Sequence, residues 1–134
     1  MNIIPNPRNA SWGTEGCKDT PDRVFALSID EARKLFADDE DMMAAVTPYA
    51  KKGGSDVYKN YKLRNGEVPG WWWLRSPGFY GDDAAVVNHA GRVSELGRSV
   101  DDSAGSVRPA LWLNLKSLNL SDNLSSSEFQ SVRP

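Results

Sequence analysis

Trp71-Trp72-Trp73-Leu74-Arg75-Ser76-Pro77-Gly78 is the stretch on which the fold turns. Six residues suited to a strand run into Pro-Gly, a turn signal, and beyond them short β runs alternate with Gly and Asp. Ala84 to Asn88 and Arg92 to Leu96 flank Ala90-Gly91 as a hairpin. Val107 to Leu115 reads as the last strand, and Pro109 inside it marks a sheet edge, a strand start or a bulge. Side chains alternate across a strand, so Trp71, Trp73 and Arg75 share one face while Trp72, Leu74 and Ser76 share the other. At least two of the three tryptophans are expected in the core. Trp71, beside Gly70 at the rim, is the one expected to be exposed, and Trp73 and Trp112 are expected to be buried among apolar neighbours.

Upstream of this stretch the pattern turns helical. Val24-Phe25-Ala26-Leu27 is a short apolar run of strand length, and Ser28-Ile29-Asp30-Glu31 then reads as a capping box, in which the Ser hydroxyl and the Glu carboxylate satisfy opposite amide donors. Ile29, Ala32, Leu35 and Phe36 fall on one face of a helix of about two turns. Asp38 to Asp41 precede Met42, Ala45, Val46 and Tyr49 at helical spacing, and acids at a helix start complement its dipole. The run lacks the alternating ligands and closing Glu of a calcium loop. Thr47-Pro48 suits a helix N-terminus and Gly53-Gly54 its stop. Residues 1–22 read as an extended N-terminal arm held down by Trp12, residues 23–116 as the core, and residues 117–134 as a Ser- and Asn-rich tail. The expected architecture is α+β, with two or three short helices packed on a small antiparallel sheet drawn mainly from residues 71–115.

With 134 residues and 14.8 kDa the chain can bury about two thirds of its unfolded surface, enough for one core. Its 16 Lys and Arg against 18 Asp and Glu lack the excess of positive charge that phosphate binding uses, so nucleic acid is not an expected partner. Lys59, Lys62 and Arg64 among Tyr58 and Tyr61 are too few to change that, and residues 55–70 read as a surface loop. The longest apolar run, Met42 to Val46, is far short of the ~20 residues needed to span a bilayer. No apolar run behind a basic start marks a signal peptide, and the Pro- and Asn-rich beginning is compatible with a domain cut from a longer surface or secreted protein. Cys17 is the only cysteine, which excludes an internal disulfide and a thiolate zinc site. His89 is the only histidine, so neither a metal site with two histidines nor any cofactor is expected.

Trp72-Trp73-Leu74-Arg75-Ser76-Pro77-Gly78, Ala84-Ala85-Val86-Val87-Asn88, Gly91-Arg92-Val93 and Val107-Arg108-Pro109-Ala110-Leu111-Trp112-Leu113 together resemble a bacterial family of uncharacterised domains. In that family a segment like Asp22 to Ala32 precedes one like Thr47-Pro48-Tyr49-Ala50, followed by the WWLRSPG motif and the VRPALWL close. The resemblance covers about residues 12–115. Family members usually carry a further Trp-containing stretch before the Val24 segment, so the chain looks like the C-terminal part of the family domain. The layout is similar to that of C-type-lectin-like and formylglycine-generating-enzyme-like domains, which implies a lectin-like fold and no established activity.

The residues point to a non-catalytic binding module for carbohydrate or a protein surface. Loops over a rigid sheet carry binding, and aromatic rings beside carboxylates suit the apolar face and the hydroxyls of a sugar. The candidate site comprises Phe79, Tyr80, Asp82 and Asp83 in one loop, Asp101 and Asp102 in the Ser99–Ser103 loop, and Asn88, His89 and Trp71 beside them. No metal is expected there, since the signatures of calcium-dependent lectins are absent. Arg75 and Arg108 are expected to bond carboxylates or carbonyls inside the sheet. Two other classes are open. An enzyme of the formylglycine-generating type needs two active-site cysteines, but a glycan hydrolase needs only two carboxylates, about 5 Å or 6.5–9.5 Å apart. The chain also suits an assembly module of a larger surface protein.

Overall fold

The computed structural model describes residues 1–117, and the Ser- and Asn-rich tail lies outside the described residues from Leu118 onward. In chain order the elements are β1 (Asn2–Ile4), β2 (Thr20–Asp22), α1 (Ile29–Leu35), α2 (Asp39–Met42), β3 (Ala44–Ala45), α3 (Pro48–Lys52), β4 (Pro69–Gly70), β5 (Trp72–Pro77), β6 (Asp83–Val87) and β7 (Val93–Ser99). The fold is α+β. β5, β6 and β7 form a three-stranded antiparallel sheet in sequence order, and β1 with β2 and β3 with β4 form two smaller antiparallel pairs.

β5 alternates as its sequence requires. Trp72, Leu74 and Ser76 are buried and join Leu27, Ile29, Ala32, Met42, Ala85 and Val87, while Trp73 and Arg75 are half-buried on the opposite face. The polar atoms on the buried face are matched: the Trp72 Nε1–H donates to the Met42 carbonyl at 2.9 Å, and the Ile29 N–H donates to Ser76 Oγ at 2.9 Å. Burying an indole is favourable only with its N–H satisfied, so these bonds also fix where the helices sit.

The helix starts are as the residues dictate. Ser28 Oγ accepts from the Glu31 N–H at 3.2 Å, the Glu31 carboxylate accepts from the Ser28 N–H at 2.9 Å, and α1 follows for seven residues. Thr47 Oγ1 caps α3 through the Ala50 N–H at 3.1 Å, with Pro48 in the first turn and Gly53 at the end. The acidic run does not start a long helix. Asp38 caps a single turn, α2, after which β3 pairs with β4 and the Val46 N–H donates to the Val68 carbonyl. Pairing with residues 68–70 turns the chain out of the helix, so Tyr49 is exposed instead of joining Met42 and Val46 on one face. Leu35, at the end of α1, is exposed for a similar reason: the chain turns extended at Phe36.

Two expected strands are single bridges. Phe25 pairs with Ala110 and Trp72 with Ser106, and no continuous ladder forms over Val24–Leu27 or Val107–Leu115. Pro109 lies between the two bridged positions, where its missing N–H cannot extend a ladder. Trp112 is consequently 58% exposed, its ring touching Phe25 at 6.2 Å between centroids, and the expectation of a core residue is corrected. Trp73 is half-buried where full burial was expected.

The first 22 residues contain the β1–β2 ladder and one deeply buried polar side chain. Asn9 is 1% exposed. Its Nδ2 donates to the carbonyls of Pro77 at 2.9 Å and Glu95 at 3.0 Å, and its Oδ1 accepts from the N–H of Ser11 and of Trp12. The segment is thereby bonded to the end of β5 and to the middle of β7.

Candidate functional site

The Phe79–Asp83 loop joins β5 to β6, and residues 99–103 follow β7. Antiparallel pairing sets Asp83 opposite Ser99, so both loops emerge side by side from one end of the sheet. Backbone bonds hold them: Gly78 N–H to Asp83 O at 2.8 Å, Phe79 N–H to Leu96 O at 2.8 Å, Asp83 N–H to Tyr80 O at 3.1 Å and Val100 N–H to Asp82 O at 2.9 Å. Gly97 permits this crowding. Its φ of +76° is one that side-chain-bearing residues rarely adopt, and a Cβ there would stand 2.2 Å from the Ala84 carbonyl oxygen.

Phe79 and Tyr80 are 39% and 64% exposed, with ring centroids 4.7 Å apart and planes perpendicular. Trp12, 46% exposed, meets Phe79 edge-on at 4.7 Å. Thr14 Oγ1 donates to the Phe79 carbonyl at 2.8 Å and ties that arm to the loop. Trp12 was not among the candidate site residues; read alone it anchors the arm. An isolated Trp in a polar segment is the signal that could have placed it here.

The carboxylates divide into two kinds. Asp102 is engaged: it accepts from the Ala104 N–H at 2.9 Å and from Arg98 Nη1 at 3.2 Å, and these bonds, the backbone one foremost, hold its carboxyl below the usual range. Asp83 accepts from the Tyr80 N–H at 3.2 Å through Oδ2. Asp82 and Asp101 are exposed. Among the described residues none of Asp82, Asp83 and Asp101 forms an ion pair. Nor do three His, Cys, Asp or Glu side chains converge as a metal ion requires, among those residues.

Three sequence candidates lie elsewhere. Trp71 is 1% exposed, which corrects the expectation of a rim position. Its Nε1–H donates to Asp56 Oδ2 at 3.0 Å, Arg98 covers its ring at 4.5 Å, Trp73 stands edge-on at 4.8 Å, and Gly105 packs so closely that a Cβ would fall 2.4 Å from the ring. Asn88 and His89 sit at the far end of β6, about 15 Å away at ~3.3 Å per residue. Asn88 Oδ1 accepts from the N–H of Ala90 and Arg92 and shapes the hairpin turn. The His89 ring stacks on Tyr58 at 4.0 Å and meets Tyr61 at 4.3 Å, which fastens residues 58–61 to that turn. The structure sets Phe79, Tyr80, Asp82, Asp83, Asp101 and Asp102 on adjoining loops, adds Trp12, buries Trp71 beneath Arg98, and separates Asn88 and His89 from them.

Both singled-out arginines bond inside the fold. Arg75 donates to the carbonyls of Ala26 and Pro5 and pairs with Glu31. Arg108 donates to the Met42 carbonyl at 3.2 Å and lies over the rings of Phe36 and Trp72. Burial pushes its pKa down. At another edge, Met1, Asn2, Asp22–Val24 and Leu111–Asn114 line an open groove of about 490 Å³. No described helix is long and apolar enough to cross a membrane.

A family model described as "Domain of unknown function (DUF6273)" matches residues 1–115, and the chain belongs to that family. This is consistent with the expectation of an uncharacterised domain family. No curated protein and no solved structure matches the chain.

Proposed function

We propose that this member of the DUF6273 family is a non-catalytic binding module, lectin-like in architecture, that takes carbohydrate on the surface formed by Trp12, Phe79 and Tyr80. The observation that supports the reading is the exposed cluster itself. Three aromatic rings in successive contact at 4.7 Å stand in water on loops that backbone hydrogen bonds fix to the sheet. A contiguous exposed apolar patch on a rigid base is characteristic of a binding surface, and a flat ring matches the C–H face of a sugar. Asp82, Asp83 and Asp101 beside it supply acceptors for hydroxyl groups. Acidic loops disfavour nucleic acid as the ligand. Hydrolysis would need two carboxylates facing one bond across a fixed gap, whereas Asp83 and Asp102 are engaged by the N–H groups of Tyr80 and Ala104.

A glycan array with the unaltered protein and with Tyr80→Ala and Trp12→Ala tests the reading. The expected result is a glycan whose binding weakens about three- to tenfold in each variant, the loss of one stacking contact. Binding unchanged in both variants removes the site from this surface. The groove beside Leu111–Asn114, with Leu111, Trp112 and Leu113 exposed, favours a second reading as an assembly module. A single monomeric mass at high concentration counts against self-assembly through it.

A further inference from the structure

We infer that the Trp12–Phe79–Tyr80 surface selects cationic amino-sugar glycans over their N-acetylated and acidic counterparts; the inference rests on the carbohydrate reading above. It comes from the charge around the rings. Residues 8–15, 79–83 and 98–103 together carry five carboxylates, Glu15, Asp82, Asp83, Asp101 and Asp102, against two guanidinium groups, Arg8 and Arg98. Arg98 is paired with Asp102 and covers Trp71, and Arg8 leans on the Gly13 carbonyl at 3.4 Å. Asp82, Asp83 and Asp101 therefore face solvent or backbone with no cation of the described chain against them.

The ring faces carry the same sign of attraction. An aromatic quadrupole is negative on its face and draws an ammonium group toward it, so the rings and the carboxylates favour one charge on the ligand. A compact metal ion is a poor match, because the acids are spread along two loop rims and do not converge in threes among the described residues. A chain of sugars with an ammonium group on successive rings distributes positive charge over the same span and keeps its C–H faces for Phe79 and Tyr80. Acetylation removes that charge, and a uronate replaces it with one that the rim repels.

Titration calorimetry with short oligomers of glucosamine, N-acetylglucosamine and galacturonic acid at about pH 6 tests the selection. The glucosamine oligomer is expected to bind about three- to tenfold more tightly than the acetylated one, and the uronate not at all. That preference should disappear in an Asp82→Asn/Asp101→Asn double variant and fade at high salt. Equal binding of the two hexosamine oligomers, both weakened by Tyr80→Ala, overturns the charge selection and leaves the aromatic surface standing. No binding of any of the three overturns both. A short lysine peptide bound more tightly than the glucosamine oligomer overturns the glycan class.

Discussion

The Arg75 guanidinium and the Glu31 carboxylate meet face to face, two nitrogens on two oxygens, and join β5 to the first turn of α1. Arg75 also holds the carbonyls of Ala26 and Pro5, so one side chain ties three segments together. Arg75 is nearly buried, with a tenth of its side chain exposed. Replacement by Met is expected to cost about 2–3 kcal/mol, below the ~3–5 kcal/mol of a fully buried pair, in urea denaturation near neutral pH.

The same pair makes stability depend on acid. The hydrogen bond from Arg75, with help from Ser28, holds the Glu31 carboxyl below its ordinary value of 4.5. The folded protein therefore binds this proton less readily than the unfolded chain. The stabilisation is complete above that value and is lost as pH falls through the lowered one. Urea midpoints measured from pH 7 downward should drop in the native protein, and Glu31→Gln should flatten that part of the profile. A profile identical in the variant would show that other groups carry the acid sensitivity.

Ser28→Ala removes one half of the capping box and is expected to lower stability by about 1 kcal/mol. Ser76→Ala leaves the buried Ile29 N–H without its acceptor, at a cost of about 1–3 kcal/mol. Thermal melts of the two variants and of the double variant measure both effects.

Trp72→Ala should unfold the domain or nearly so, because the loss of a fully buried indole costs about 3–5 kcal/mol against a total of ~5–15 kcal/mol. Trp112→Ala, at an exposed position, should cost less than about 1 kcal/mol. A large loss on changing Trp112 would show that its ring is covered in solution.

Gly97→Ala is expected to destabilise by about 2–3 kcal/mol, since neither its positive φ nor the Ala84 backbone can yield cheaply. Gly81→Ala, where a Cβ meets nothing within 4 Å, should stay within about 0.5 kcal/mol. Chemical denaturation of the two variants distinguishes a constrained glycine in β7 from a permissive one in the adjoining loop.

What could be read from the residues was local. The Ser28 box, the Thr47-Pro48 start and the hairpin around Gly91 each depend on a few neighbouring side chains, and each is present. The loops at Phe79 and Ser99 follow from the same hairpin, so their juxtaposition was legible too. What failed depended on distant partners. Strand-like runs at Val24 and Val107 found one bridge apiece, because propensity for a pleated surface does not say how much of one is available. Trp71 looked exposed beside Gly70, yet Arg98 of β7 and Gly105 beyond it close over its ring. Asn88 and His89, near Asp83 in sequence, lie one strand length away because the whole of β6 runs between them.

Asn9 spends all four hydrogen-bonding positions of its amide on binding the start of the chain to Pro77 and Glu95 and on fixing the backbone of Trp12. A fragment beginning at Arg23 would keep the whole three-stranded sheet and lose both the stitch and a third of the aromatic surface. A sheet moved to another protein therefore carries the Trp12–Phe79–Tyr80 cluster only if the leading segment travels with it.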